Sequence, residues 1–530
     1  MTALASSPTL IAVAAATLLY GIYKLIIYPA FLSPLAKIPN AHFTAPISPA
    51  WIIWNRFWMR NNRTVDEAHK RLGPVVRLGP NEVSVNCIDG GVRTVYSGGF
   101  EKHQWYPRAF GAFGTTSMFS MVKSKTHSQR KRMISNIYSK SFLQGSDHMA
   151  AISKTVIFKR LLPILYDASQ TGKDIEMYLL NNCTTFEFVN GYIFGLDSFK
   201  SFLLDTEAGK AWFHEYQCRK PFEFYRQEIP RLTTLLRTLR VPIIPKYVDR
   251  ANKIMEDWCL ETCDNADKKF ASTEPGVEPV VYKQLKKQML KQQGLKDETE
   301  APKHVREYMY YQIACEVQDH FTAGHETSAV AMTYVFWELS RNKQLQEELR
   351  EELKALSPGL QFPIPNGMDE PELPSAKSVD ALPLLNAIIY EVLRMHAPIP
   401  GIQPRITPQT PTTLGTYGNI PPDVRVNAQA YSLHKNPDVF PNPEVFDPKR
   451  WLKPEGSPEL EMMRRWFWAF GSGGRMCIGS NLALQEMKLL TASIWTNFHT
   501  EIVDDEDIEE IDAYTVHPKG SKLVLKFHHV

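Results

Sequence analysis

The sequence predicts a mainly α-helical body with a minor β-sheet. Three features carry that expectation. Glu307 to Asn342 runs 36 residues without proline, the stretch from about Thr126 to Cys263 follows a mostly helical pattern, and only one clear hairpin precedes a proline-dense region after Pro398.

The bulk numbers fit that class. A chain of 530 residues, 44% hydrophobic and 22% charged, can bury a large core, and length alone allows about two to four domains or one large enzyme body. A net charge of +3 lacks the concentrated basic stripe of a nucleic-acid binder, so no nucleic-acid partner is expected. The seven cysteines are scattered, odd in number and without a CxxC pair, which argues against a disulfide scaffold. Cys259 and Cys263 share a helix face but have no second ligand pair nearby, so a zinc site is not expected.

The N-terminus differs in kind. No charge occurs from Thr2 to Tyr23, and with Lys24 snorkelling the apolar run reaches Ile27, enough for the roughly 20 residues that span a bilayer. No basic segment precedes Leu10, while Lys24 and Lys37 follow the run. This reads as a retained single-pass anchor over residues 1–28, in place of a cleaved signal, with the body on the cytoplasmic side. Pro29, Pro34, Pro39, Pro46 and Pro49 predict a stiff, extended connector over 29–49, and the globular body occupies 50–530.

Within the body, Val75 to Val85 alternates apolar and polar positions around Gly79-Pro80-Asn81, a hairpin signal. Ser272 to Pro279 and Pro358 to Ser378 read as surface loops. The Glu307–Asn342 run predicts a helix of about 54 Å, buried on nearly every side, with Gly324 in its middle. Helices are also expected over Leu385 to His396 and Asn481 to Trp495. No glycine-rich dinucleotide or phosphate loop occurs, because the cluster Gly471, Gly473, Gly474 leads to a cysteine.

That cluster belongs to Phe470-Gly471-Ser472-Gly473-Gly474-Arg475-Met476-Cys477-Ile478-Gly479, followed by Leu482, Ala483 and Glu486 on a helix. The segment resembles the cysteine loop of the cytochrome P450 superfamily. The five positions Phe470, Gly473, Arg475, Cys477 and Gly479 would coincide by chance on the order of once in 10⁴ such sequences. The resemblance implies the cytochrome P450 fold, haem b as cofactor and Cys477 as the axial ligand of its iron. A thiolate ligand pushes electron density onto the iron and favours O–O cleavage, so it needs a rigid loop with little bulk, which the glycines supply. Arg475 can pair with a haem propionate, and the helix starting after Cys477 points its positive end at the sulfur.

Two further segments match the family. Glu391 and Arg394, three apart on one helix face, are followed at family spacing by Arg450 in Pro448-Lys449-Arg450-Trp451. The resemblance implies a buried charge network with a structural role. Ala323-Gly324-His325-Glu326-Thr327-Ser328 is similar to the oxygen-activating segment, in which Thr327 and Glu326 relay protons through a water. Gly324 mid-helix costs about 1 kcal/mol relative to alanine and predicts a local opening beside bound O2. His325 reads as a packed polar residue and not as an iron ligand.

Arg405 in Pro404-Arg405-Ile406-Thr407 is similar to a propionate-binding arginine. In His127-Ser128-Gln129-Arg130-Lys131-Arg132, Lys131 stands where the family often has a propionate-binding arginine, and two readings stay open: a cofactor contact, or with Arg130 a basic face for an acidic reductase.

The function implied is monooxygenation of a hydrophobic small molecule, in the manner of fungal members that oxidise secondary metabolites. Electrons would come from NADPH–cytochrome P450 reductase, with cytochrome b5 as a second donor, at the endoplasmic reticulum membrane. Pocket walls by family position are Ala109 to Phe113, Trp212, Phe213, Phe222, Ala323, Ile399, Ile402 and Val516. The alternatives are a haem-thiolate isomerase or dehydratase that needs no reductase, and a non-catalytic haem sensor; neither needs the Glu326 and Thr327 pair.

Overall fold

Helix begins at Pro8 and continues through Pro8–Ile22 and Tyr23–Leu32 in a computed structural model that describes residues 8–364 and 370–530. Within it, Leu10–Leu32 is a 23-residue apolar run with a mean hydropathy of 2.1 and no burial, long and apolar enough to cross a membrane. Residues 1–7 of the expected anchor and 365–369 of the expected loop lie outside the described residues.

The helix passes through Pro29, where an extended connector was expected to start. Its turn is wider there, with the Ser33 N–H reaching the Tyr28 carbonyl at 2.8 Å, so the missing proline donor is tolerated. Residues 34–48 then pack onto the body, burying Leu35, Ile38, Ala41 and Ala45. The Arg77 guanidinium stitches this segment down, donating to the carbonyls of Pro29 and Pro80 at 2.8 Å each.

The minor sheet contains β1 (Val75–Gly79), β2 (Glu82–Val85), β3 (Glu101–Lys102), β4 (Arg405–Ile406) and β5 (Arg425–Asn427), in the order β1-β2-β5-β4-β3. The β1–β2 hairpin turns at Pro80-Asn81, β5 joins β2 in parallel, and the remaining pairs are antiparallel. This sheet brings Lys102 and Arg405 side by side, with Lys102 paired to Arg405 in register.

The helices that build the site are α1 (Ser124–Ile134), α2 (Met177–Phe194), α3 (Thr206–Cys218), α4 (Lys303–Ser340), α5 (Pro383–Met395) and α6 (Ser480–Asn497). The 38 residues of α4 span about 57 Å, crossing the whole body. The α2 helix is buried almost throughout and lies along α4, joined to it by Thr185 donating to the His325 carbonyl at 2.8 Å and Asn181 to Thr333 at 3.1 Å. Gly324 makes this approach possible, since a Cβ there would sit 2.5 Å from Val189 Cγ2. No opening of α4 occurs at Gly324: the helix is continuous, and close packing against α2 is the reason for the glycine.

Candidate active site

The loop from Phe467 to Gly479 delivers Cys477 to the start of α6. It is closed on itself, with the Cys477 N–H donating to the Phe470 carbonyl at 2.9 Å and Trp468 Nε1 donating to Ser472 Oγ at 2.9 Å. Gly471 (φ 68°) and Gly473 (φ 71°) take left-handed backbone, and a Cβ on Gly473 would run into the Tyr96 carbonyl. Gly474 and Gly479 differ: neither has positive φ, and both have room for a Cβ, so the expected need for glycine holds only at positions 471 and 473 in this loop.

Cys477 lines a cavity of about 620 Å³, which Phe470, Arg475 and Gly479 also line. Burial pushes its thiol above the usual range, while the backbone N–H groups of Gly479 and Ser480 and the charge of Lys131 act the other way. Lys131 itself is not on the cavity. Its ammonium donates to the carbonyls of Gly474 and Met476 at 3.0 and 3.4 Å, bracing the cysteine loop from outside, because α1 passes behind that loop. The contact described is thus to the cysteine loop's own backbone.

Basic side chains gather along the cavity. Lys102, His127, Arg405 and Arg475 line it, and the first three are buried. Arg405 donates to the Tyr106 hydroxyl at 2.8 Å, and Arg475 to the Met121 and Val122 carbonyls at 2.6 Å each and to Glu101 at 3.2 Å. Burial and then the neighbouring arginines hold Lys102 well below its ordinary range; burial and Arg405 bring Arg475 down to about 10. Burial, Arg475 and Lys102 lower His127 to about 3. Lys102, Arg405 and Arg475 repel one another, and among the described residues Glu101, on Arg475, is the one acid that forms a salt bridge with any of them. Lys102 and His127 were not picked out from sequence; Lys102 has no motif around it, while His127 stands in the quoted run four residues before Lys131.

The cavity is also lined by the face of α4 carrying Ala323, Gly324 and Thr327. The Thr327 hydroxyl donates to its own i−4 carbonyl, Ala323, at 2.7 Å, leaving its oxygen free to accept. Glu326 is buried and caged by α3 and the residues after it: Tyr216 donates to it at 2.8 Å, Gln217 at 3.5 Å, and Lys220 forms an ion pair with it. Glu486 of α6 also reaches the cavity. Among the described residues its one hydrogen-bond partner is Ser328 Oγ at 3.4 Å, and burial pushes its carboxyl well above the ordinary range.

Behind the site, Glu391, Arg394 and Arg450 form one buried network. Arg394 grips Glu391 with two bonds of 2.8 and 2.9 Å, Arg450 Nε donates to it at 2.9 Å, and Trp451 Nε1 at 2.8 Å. The remaining guanidinium donors bond the carbonyls of His434, Pro443 and Pro441, which ties α5 to the segment leading to the cysteine loop.

Of the expected pocket walls, Ala109 to Ala112, Phe222, Ala323, Ile399 and Ile402 line the cavity. Trp212 and Phe213 do not. They pack around His325, whose ring stacks on Phe213 with centroids 5.5 Å apart and bonds the Phe321 carbonyl at 2.7 Å. Burial lowers His325 to about 3, so it is a neutral core residue. Phe113 stacks on Tyr311, and Val516 is buried in the core while Tyr514 and Thr515 face the cavity.

A family model described as Cytochrome P450 matches residues 45–525. Curated relatives include cytochrome P450 monooxygenase orf2 of Aspergillus niger, 26% identical across 94% of this chain and 95% of that one. Cytochrome P450 monooxygenase sdnE of Sordaria araneosa is 28% identical across 93% and 92%, and aflV of Aspergillus parasiticus is 28% identical across 88% and 85%. The chain belongs to the cytochrome P450 family. It is an oxidoreductase whose cofactor is haem b.

The residues present fit that group. Cys477 and the Ala323–Thr327 face of α4 line one cavity, and the basic side chains Lys102, Arg405 and Arg475 that line it too are suited to two carboxylates.

Proposed function

We propose that this protein is a membrane-anchored monooxygenase that inserts one oxygen atom of O2 into a hydrophobic small molecule of secondary metabolism and reduces the other to water. The meeting of Cys477 and the Ala323–Thr327 turn on one cavity carries this reading. Haem, when bound, supplies the oxygen chemistry, tuned by a thiolate ligand, here Cys477.

The chain's own residues hold and feed that centre. The Phe470–Gly479 loop fixes Sγ, with Gly473 letting it approach Tyr96, and Lys131 braces it. Arg405, Arg475 and Lys102 would hold the propionates. Thr327 Oγ, its proton committed to Ala323, accepts from a water on the cavity face, and Glu326 passes protons to that water. Gly324 sets the depth of this face by its packing on Val189. Glu391, Arg394 and Arg450 keep the thiolate side rigid.

Electrons come from NADPH–cytochrome P450 reductase, with cytochrome b5 as a second donor; of the two residues expected to form its basic docking face, Lys131 lies against the cysteine loop, whereas Arg130 is buried on Glu316 and Gln312 and cannot serve. Leu10–Leu32 crosses the endoplasmic reticulum membrane, and Lys37, beyond its end, favours the body on the cytoplasmic side. Fungal relatives named as monooxygenases support the reaction class.

The test compares, by mass spectrometry, extracts from source cells with this gene intact and deleted. Accumulation of a compound lighter by oxygen than the one lost supports oxygenation; a pair differing only by rearrangement or water contradicts it.

A further inference from the structure

We propose that a second cavity, beneath the helix Pro230–Thr238, holds the headgroup of a membrane lipid that ends in a phosphomonoester, an assignment that rests on the membrane reading above and not on the oxygen chemistry. The cavity measures about 530 Å³, and of the described residues that line it Arg226 alone also lines the cavity at Cys477. Arg108, Arg226, Arg237 and Arg240 surround it against one acid, Asp249. They come from three segments: the helix Trp105–Phe110, the helix Glu223–Gln227, and the helix Pro230–Thr238 with the turn that ends it. Among the described residues Arg108, Arg237 and Arg240 form no salt bridge, and Arg226 meets Asp249 at 3.6 Å. Guanidinium groups gathered without counter-ions suit phosphate oxygens, which they bond in pairs.

Cations at a helix C-terminus often serve its last carbonyls. Here those of Leu235, Leu236 and Arg237 already accept from the N–H groups of Leu239, Val241 and Arg240 at 2.9, 2.8 and 3.0 Å, with Arg240 in left-handed backbone (φ 58°). That role also leaves Arg108 and Arg226 unexplained, since they belong to other segments. The threonine protons on this face are spent on backbone, Thr233 donating to the Tyr225 carbonyl at 2.6 Å and Thr234 to the Pro230 carbonyl at 2.9 Å, so the arginines are the free donors.

The helix is amphipathic in the sense opposite to that of a water-facing element. Pro230, Thr233, Thr234 and Arg237, spaced i, i+3, i+4, i+7, face the cavity, whereas Leu232, Leu235 and Leu239 on the other side are 48%, 55% and 63% exposed. A leucine stripe turned outward is stable against hydrocarbon. The apolar surface continues through Phe57, whose ring packs on Phe224 and Tyr225 with centroids 5.3 and 6.4 Å apart, to the exposed Trp54 and Trp58, side chains suited to the headgroup level. Hydrocarbon on one side of the helix and free cations on the other match the two ends of an anionic lipid. A phosphomonoester carries about −1.5 to −2 charges at neutral pH, against a single charge on a phosphodiester, and so fits three free guanidinium groups better.

The test titrates the full-length haem-loaded protein, in neutral detergent, with short-chain phosphatidic acid, phosphatidylglycerol and phosphatidylcholine, and counts bound lipid by native mass spectrometry. Phosphatidic acid is expected to bind roughly tenfold or more tighter than phosphatidylglycerol. In the double variant Arg237→Gln, Arg240→Gln that preference falls below about twofold while phosphatidylcholine binds as before, and Arg108→Gln, on another segment, lowers it by about threefold. Arg231→Gln, on the same helix but off the cavity, retains it. All four arginines are exposed, so these variants keep the fold, which helical content checks. The proposal is overturned if the two anionic lipids bind alike, if the preference survives in the double variant or is unmoved by Arg108→Gln, or if Arg231→Gln removes it equally. Glycerol 3-phosphate binding as tightly as phosphatidic acid would assign the cavity to a soluble phosphate and overturn the lipid. The thiolate-type carbon monoxide band of the same preparations reports on the haem site, so its absence would count against the monooxygenase reading and leave the lipid result standing.

Discussion

The Tyr216 hydroxyl donates to the Glu326 carboxylate at 2.8 Å, so the acid beside Thr327 is held by α3 and not by solvent. Lys220 pairs with the same carboxylate from the segment that follows. The acid and alcohol of α4 are therefore coupled to the elements roofing the cavity.

That coupling makes the turn testable. Glu326→Gln keeps the size of the side chain and removes its charge, and product turnover is expected to fall by about 10²-fold with haem content unchanged. Lys220→Met should lower product formed per NADPH oxidised while oxygen consumption continues. Unchanged coupling in both variants would remove Glu326 from the proton path.

Gly324→Ala should destabilise the fold by about 1–3 kcal/mol, because its Cβ meets Val189 Cγ2 at 2.5 Å across the α2–α4 interface. Adding Val189→Ala should recover part of that loss in denaturant unfolding. If the double variant is no more stable than the single one, packing is not the reason for the glycine.

Glu391→Ala would leave Arg394 and Arg450 buried with no carboxylate between them. The expected cost is about 3–5 kcal/mol, with loss of most haem-loaded protein. Haem incorporation equal to that of the unaltered chain would show that the network is dispensable.

His396 lies between Glu338 at 3.2 Å and Glu510 at 2.7 Å, stacked on Tyr334. Burial disfavours its charged ring, but hydrogen bonds and charge from the two carboxylates outweigh that and raise it from 6.5 to about 9. A folded-state value above the unfolded one means that the stabilisation, about 3 kcal/mol, is complete below pH 6.5 and lost as pH rises through about 9. Unfolding curves at pH 6 and pH 9.5 should therefore converge between the unaltered protein and His396→Gln at the higher pH. A gap of the same size at both values would contradict the charged triad.

The sequence made some of this legible and hid the rest for physical reasons. The cysteine loop shows because its backbone needs glycine at 471 and 473, and the long α4 helix shows because an apolar run without proline has few other outcomes. Glu391, Arg394 and Arg450 were readable only as spaced residues until the fold brought Trp451 and the carbonyls around them. Trp212 and Phe213 illustrate the limit: aromatic side chains on a buried helix look alike in sequence whether they face a cavity or His325. Lys102 carries no local pattern, since a two-residue strand pairing with Arg405 is a long-range fact. The proline rule for the connector failed at Pro29, where a widened turn absorbs the missing donor.

The most direct test of the central claim replaces Cys477 with serine in the full-length protein. Helical content should remain, and the thiolate-type band of the reduced carbon monoxide complex should vanish together with product formation. A variant that keeps that band would place the iron's ligand elsewhere and contradict the reading of this cavity.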